Sequence, residues 1–184
     1  VAAGDVTLVV EGGDGTLLNV TAGGDIHVTA IADIGGSSEM HVGTVQTTGG
    51  NVTLVAADGI EATNPATSLI KGNRVELHSK DGDIGGNGTL RIDSNILGSG
   101  GFVAKAGGEI DIRETTGDLK LVQAQDFTTT ASVEGGGAVT LRTSAGSILD
   151  ATIELDTVGS DAPLTPIQQK LLDTLNSDGD PTND

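Results

Sequence analysis

The amino-acid sequence predicts an all-β fold: a parallel β-helix, or solenoid, with coils of about 20 residues and a short C-terminal α-helix. Three observations lead there. A short strand phrase recurs along the chain: GDVTL at 4–8, GDIHV at 24–28, GNVTL at 50–54, GNRVEL at 72–77, GEIDI at 108–112, GDLKL at 117–121 and GAVTL at 137–141. Several copies start 20 to 22 residues apart, as at Gly4 and Gly24, Gly50 and Gly72, or Gly117 and Gly137. The core must be aliphatic, because the aromatic residues are only Phe102 and Phe127.

Each unit opens with Gly, often followed by Asp or Asn. Gly tolerates positive φ, and an Asx side chain bonds to nearby backbone, so the pair reads as a tight turn. A strand of three to five residues follows. The pairs Val6/Leu8, Val52/Leu54, Val75/Leu77, Leu90/Ile92 and Val139/Leu141 share one face by the two-residue period of a strand. Thr, His, Glu, Arg, Asp and Lys fill the wet face between them. A longer likeness overlays the short one: 51–63 resembles 138–152, an offset of about four units. The segment AGGEIDIRETTGDLKLV (106–122) holds two such strands, yet its text recurs elsewhere, so it does not read as a private hairpin. A sandwich would need the long connections that this chain lacks. Seven or eight coils at the ~4.8 Å strand spacing predict a rod ~35 to 40 Å long.

The pattern divides the chain into a β-helix repeat domain, 1–155, and a helical cap or linker with an acidic tail, 156–184. Thr165 is the expected N-cap, Pro166 the first helical residue and Gln168 the partner in a capping box. Ile167, Leu171 and Leu175 form one apolar stripe beside Leu172, and the helix is expected to end near Asn176. It would cap the solenoid, dock a partner or lead to a further domain. Four oxygen donors follow, Asn176, Asp178, Asp180 and Asp184, the candidate calcium ligands of this chain. An EF-hand register fails there, because position 181 is Pro rather than Gly.

The net charge of −17 argues against nucleic acid and anionic membranes, and favours solubility, cation binding or a salt-rich habitat. There is no Cys, so no disulfide framework is available. No apolar run approaches the ~20 residues of a membrane span. No signal peptide is visible, and the start at Val1 suggests a processed product or a fragment.

No catalytic constellation is predicted. His27, His41 and His78 lie at strand positions without metal-ligand spacing. Asp81, Asp83 and Asp111 are the carboxylates to weigh for a polysaccharide-cleaving site, but no Trp or Tyr offers a sugar platform. GGDGTLLNV (12–20) and GGNGTLRI (85–92) depart from the calcium nonapeptide, with Leu17 and Leu90 where it needs Asp. Thr7, Thr53 and Thr140 recur without the sustained ladder of an ice-binding face.

GDVTL, AGGDIHV, GGEIDIRETTGDLKLV and GSILDA resemble the repeats of filamentous-haemagglutinin-like bacterial exoproteins, over about residues 1–155. The most specific phrase is TTGDLKLV…VTLRTSAGSILDA. The resemblance implies a right-handed parallel β-helix, secretion by a two-partner or autotransporter route, and a secreted or cell-surface bacterial location. It implies roles in adhesion, biofilm or matrix and brings no catalytic residues. The amino-terminal secretion domain of that family has no counterpart here, and the acidic helical tail is this chain's own.

The expected function is a structural, adhesive extracellular rod, a segment of a cell-surface adhesin. The alternative is a self-assembling subunit of an extracellular filament or sheath. A polysaccharide-active β-helix enzyme is the third reading. Expected partners are the chain itself, stacked end to end, or neighbouring repeats of a longer chain, and a host or cell-surface receptor or glycan. Neither nucleic acid nor membrane insertion is expected, and no cofactor beyond calcium.

Overall fold

The computed structural model describes residues 1–32, 36–122 and 133–150. Every described strand pairing is parallel, and no helix occurs among the described residues. The predicted helix, with its cap at Thr165, and the calcium donors Asn176, Asp178, Asp180 and Asp184 lie outside the described residues.

Two parallel sheets form the walls. The first runs in the order β1 (Val6–Glu11), β3 (Ile26–Ile31), β5 (Val52–Ala56), β8 (Arg74–Ser79), β10 (Gly101–Ala106), β12 (Leu119–Leu121) and β15 (Ile148–Asp150), with β13 (Val133–Gly135) also on β10. The second runs β2 (Gly15–Ala22), β4 (Glu39–Thr47), β7 (Leu69–Lys71), β9 (Leu90–Asp93), β11 (Ile110–Glu114) and β14 (Val139–Thr143), with β6 (Gly59–Ala62) also on β4. The chain crosses between the sheets after most strands, and β11 and β12 belong to different walls. The segment 106–122 is therefore a corner and not a hairpin, turned at Gly117 with φ of 75°.

The apolar pairs legible in the sequence become the core. Val6 is in register with Ile26, Ile26 with Val52, Val52 with Val75, Val75 with Phe102 and Phe102 with Leu121. Val52, Leu54, Val75, Leu77, Leu90 and Ile92 are completely buried. Each strand turns one face inward, and stacking identical faces makes one continuous aliphatic interior.

The coils are longer and fewer than the short period predicts. The register steps from Val6 to Asp150 measure 20, 26, 23, 27, 19 and 29 residues, about five to six turns rather than seven or eight. The extra residues leave the stack at corners. One loop, 63–68, is closed by Asn64, whose Oδ1 accepts the Ala66 N–H at 2.9 Å. Another, 94–100, turns at Asn95 (φ 60°) and Gly98 (φ 83°). Such outward insertions leave the stacked strands in register.

Candidate functional site

The Asp and Asn of the recurring phrase do more than shape their own turn. Asp5 Oδ1 accepts the backbone N–H of Asp25 at 2.8 Å, in the next coil. Asp25 Oδ1 in turn accepts from Asn51 at 2.7 Å, and Asn51 Oδ1 from Arg74 at 3.2 Å. Asp83 does the same for Glu109 at 2.7 Å, and Asp118 for Ser147 at 2.7 Å. The Asx column thus ties coil to coil where the strand ladders pause. The paired glycines belong to the same device: a Cβ at Gly50 would overlap the Gly24 carbonyl, and one at Gly108 would overlap the Asp83 carboxylate.

The three carboxylates weighed above for a polysaccharide-cleaving site have separate surroundings. Asp83 is a cap. Asp81 lies 3.3 Å from Lys80, with both side chains well exposed. Asp111 accepts from Thr89 Oγ1 at 3.0 Å and pairs with Arg142. A polar hollow of about 310 Å³ is lined in part by Lys71, Asp93, Asn95 and Asp118. Its carboxylates are partnered as well, Asp93 by Lys71 at 2.6 Å and Asp118 by the Ser147 N–H.

The three histidines project outward, and stacking gives each a different neighbourhood. His27 Nε2 lies 3.2 Å from Thr29 Oγ1. His78 has its pKa lowered, by burial first and by Lys105 second. His41 Nε2 stands 3.6 Å from Glu39, and Asp14 joins them, so that ligand atoms of all three fall within 4.8 Å. No sequence spacing suggests this triad, because Asp14 reaches Glu39 only through coil stacking. Asp14 Oδ1 also accepts the Glu39 N–H at 3.1 Å, which makes it a cap like the others. Three donors on an open surface fall short of the six to eight oxygens that calcium takes.

Two buried carboxylates also escape a sequence reading. Glu76 stands on the outward row of β8, is 3% exposed, and pairs through Oε1 with Arg74. Glu114 is completely buried. Its place follows from register: Val20, Val45, Ile70, Ile92 and Glu114 stack in one inward column. Its Oε2 accepts Ser94 Oγ at 2.6 Å and the Ser94 N–H at 3.1 Å, and Oε1 accepts the Thr115 N–H at 3.2 Å. Burial pushes its pKa up to about 7, with Asp93 adding to the shift and the Ser94 and Thr116 hydrogen bonds opposing it. The only sequence signal was a final Glu in phase with Ile110 and Ile112.

Comparison with protein-family models, with curated proteins and with solved structures finds no match to this chain.

Proposed function

We propose that this chain is a structural segment of a bacterial cell-surface adhesin of the haemagglutinin-like kind, holding binding surface away from the cell. The observation that carries this reading is the exposure of apolar columns in the first and last described coils. Val6, Leu8 and Val10 of β1 occupy the same inward columns as Ile26, Val28 and Ala30, yet Leu8 is 38% exposed while Val28 is fully buried. At the other end Val139 and Ile148 pair with buried Ile110 and Leu119 and are 46% and 47% exposed. Such columns are buried when a further coil or a capping element stacks on them. Neighbouring repeats of a longer polypeptide would do this, as the exoprotein-like repeats suggest. The Asx caps and aliphatic columns serve stiffness, and their carboxylates are engaged in holding coils together.

The same open edges favour a second reading, a filament subunit in which the last coil of one copy meets the first coil of the next. A head-to-tail contact of this kind does not close and yields fibres. Negative-stain electron microscopy of the purified chain, with and without millimolar calcium and added salt, separates the two. Short monodisperse particles in every condition are expected for an adhesin segment. Fibres of uniform width would replace that reading with the filament.

A further inference from the structure

Lys and Arg are distributed unevenly along the chain. Residues 1–70 contain eight Asp and Glu and no Lys or Arg, whereas residues 71–150 contain eight Lys and Arg against eleven Asp and Glu. Three of those eight cations form a single column. Arg91 is in register with Arg113, and Arg113 with Arg142, on the outward face of β9, β11 and β14. Adjacent strands lie ~4.8 Å apart, and like charges held directly opposite one another are destabilising. Little on the chain itself offsets this. Arg91 donates to the Ala66 carbonyl at 2.6 Å, Arg142 pairs with Asp111, and exposed Arg113 makes no hydrogen bond or ion pair among the described residues. The column continues into the half without Lys or Arg as Asn19, Thr44 and Leu69 on β2, β4 and β7. On the same sheet, Asp14 and Glu39 stand five residues before Asn19 and Thr44, and Lys71, two residues beyond Leu69, is neutralised by Asp93.

We infer that this outer face is a pairing surface for a second copy of the chain, laid antiparallel so that each arginine column meets the carboxylate-rich first coils of its partner. A two-fold contact is self-complementary, so one face with opposite charge at its two ends satisfies it twice over. An extended polyanion fits less well. Glu109 enters the same sheet beside the column and Asp111 stands two residues from Arg113 in the neighbouring column, and both would repel a long anionic chain. Discrete carboxylates, spaced along a protein face, avoid them. The contact is electrostatic and accordingly weak.

Sedimentation velocity of the 184-residue chain over a concentration series tests the proposal. The native chain should form dimers reversibly. Arg113→Glu changes an exposed, unpaired side chain, occurs twice in the interface, and should weaken dimerisation by about tenfold or more. Glu39→Lys added to that variant should restore it. A native chain that stays monomeric overturns the proposal, as does dimerisation indifferent to Arg113→Glu. Association abolished by Leu8→Lys but not by Arg113→Glu would identify end-to-end stacking instead. A monomer that binds polygalacturonate through Arg113 would assign the column to an acidic glycan and overturn the proposal too.

Discussion

Glu114 shows how one residue changes meaning with its neighbours. In water it would be an ordinary carboxylate, but stacked above Ile92 it is a buried acid held by Ser94. Its folded pKa, about 7, lies above the ordinary 4.5 of the unfolded chain. The folded state therefore holds a proton that the unfolded state releases between those values. This contribution to stability is complete below pH 4.5 and is lost as the pH rises through about 7. Glu114→Gln should raise stability at pH 8 by on the order of 2 kcal/mol and flatten the profile between the two values, as read by thermal unfolding across pH. His78 acts in the opposite direction: its lowered pKa costs stability as the pH falls below the ordinary 6.5. Among the caps, Asp25→Ala leaves the Asn51 N–H without its partner and should cost about 1 kcal/mol in urea unfolding. Gly50→Ala should cost more, because the Gly24 backbone has to move to admit the methyl group.

At the scale of the element, strands of three to nine residues persist because neighbouring coils flank them, on both sides in the interior and on one side at the ends. None would be stable alone. Leu54 on β5 lies fully buried between Val28 and Leu77, so Leu54→Ala should destabilise by about 2 to 5 kcal/mol. The equivalent change at Leu8 removes a side chain that is already 38% exposed, and chemical denaturation should show a much smaller loss. Corners behave differently from strands. Gly117 has φ of 75° and open space around its Cα, so Gly117→Ala should cost about 1 kcal/mol through backbone strain alone.

At the scale of the molecule, nearest-neighbour stacking makes stability uneven. Interior coils have two partners and the end coils have one. Amide hydrogen exchange should be slowest in β5 and β8 and fastest in β1, β14 and β15, whose columns are open. Equal protection along the whole solenoid would mean that the ends are covered in solution, as end-to-end stacking of copies would do.

The sequence by itself determined the fold class. The two-residue alternation in GDVTL and its copies selects the inward face, and repetition at similar spacing requires stacking. Both follow from local geometry, so Val52, Leu54, Val75 and Leu77 could be placed in the core by reading alone. The number of turns could not be read in the same way, because loops such as 63–68 and 94–100 lengthen individual coils. Those unequal lengths also hide which residues stand above one another. The Asx caps across coils, the triad at His41, the buried Glu114 and the arginine column are all relations between residues about 20 to 30 positions apart, at offsets that change from coil to coil. Tertiary structure alone decides them, because inter-coil register is set by how the whole aliphatic interior packs and not by any local phrase.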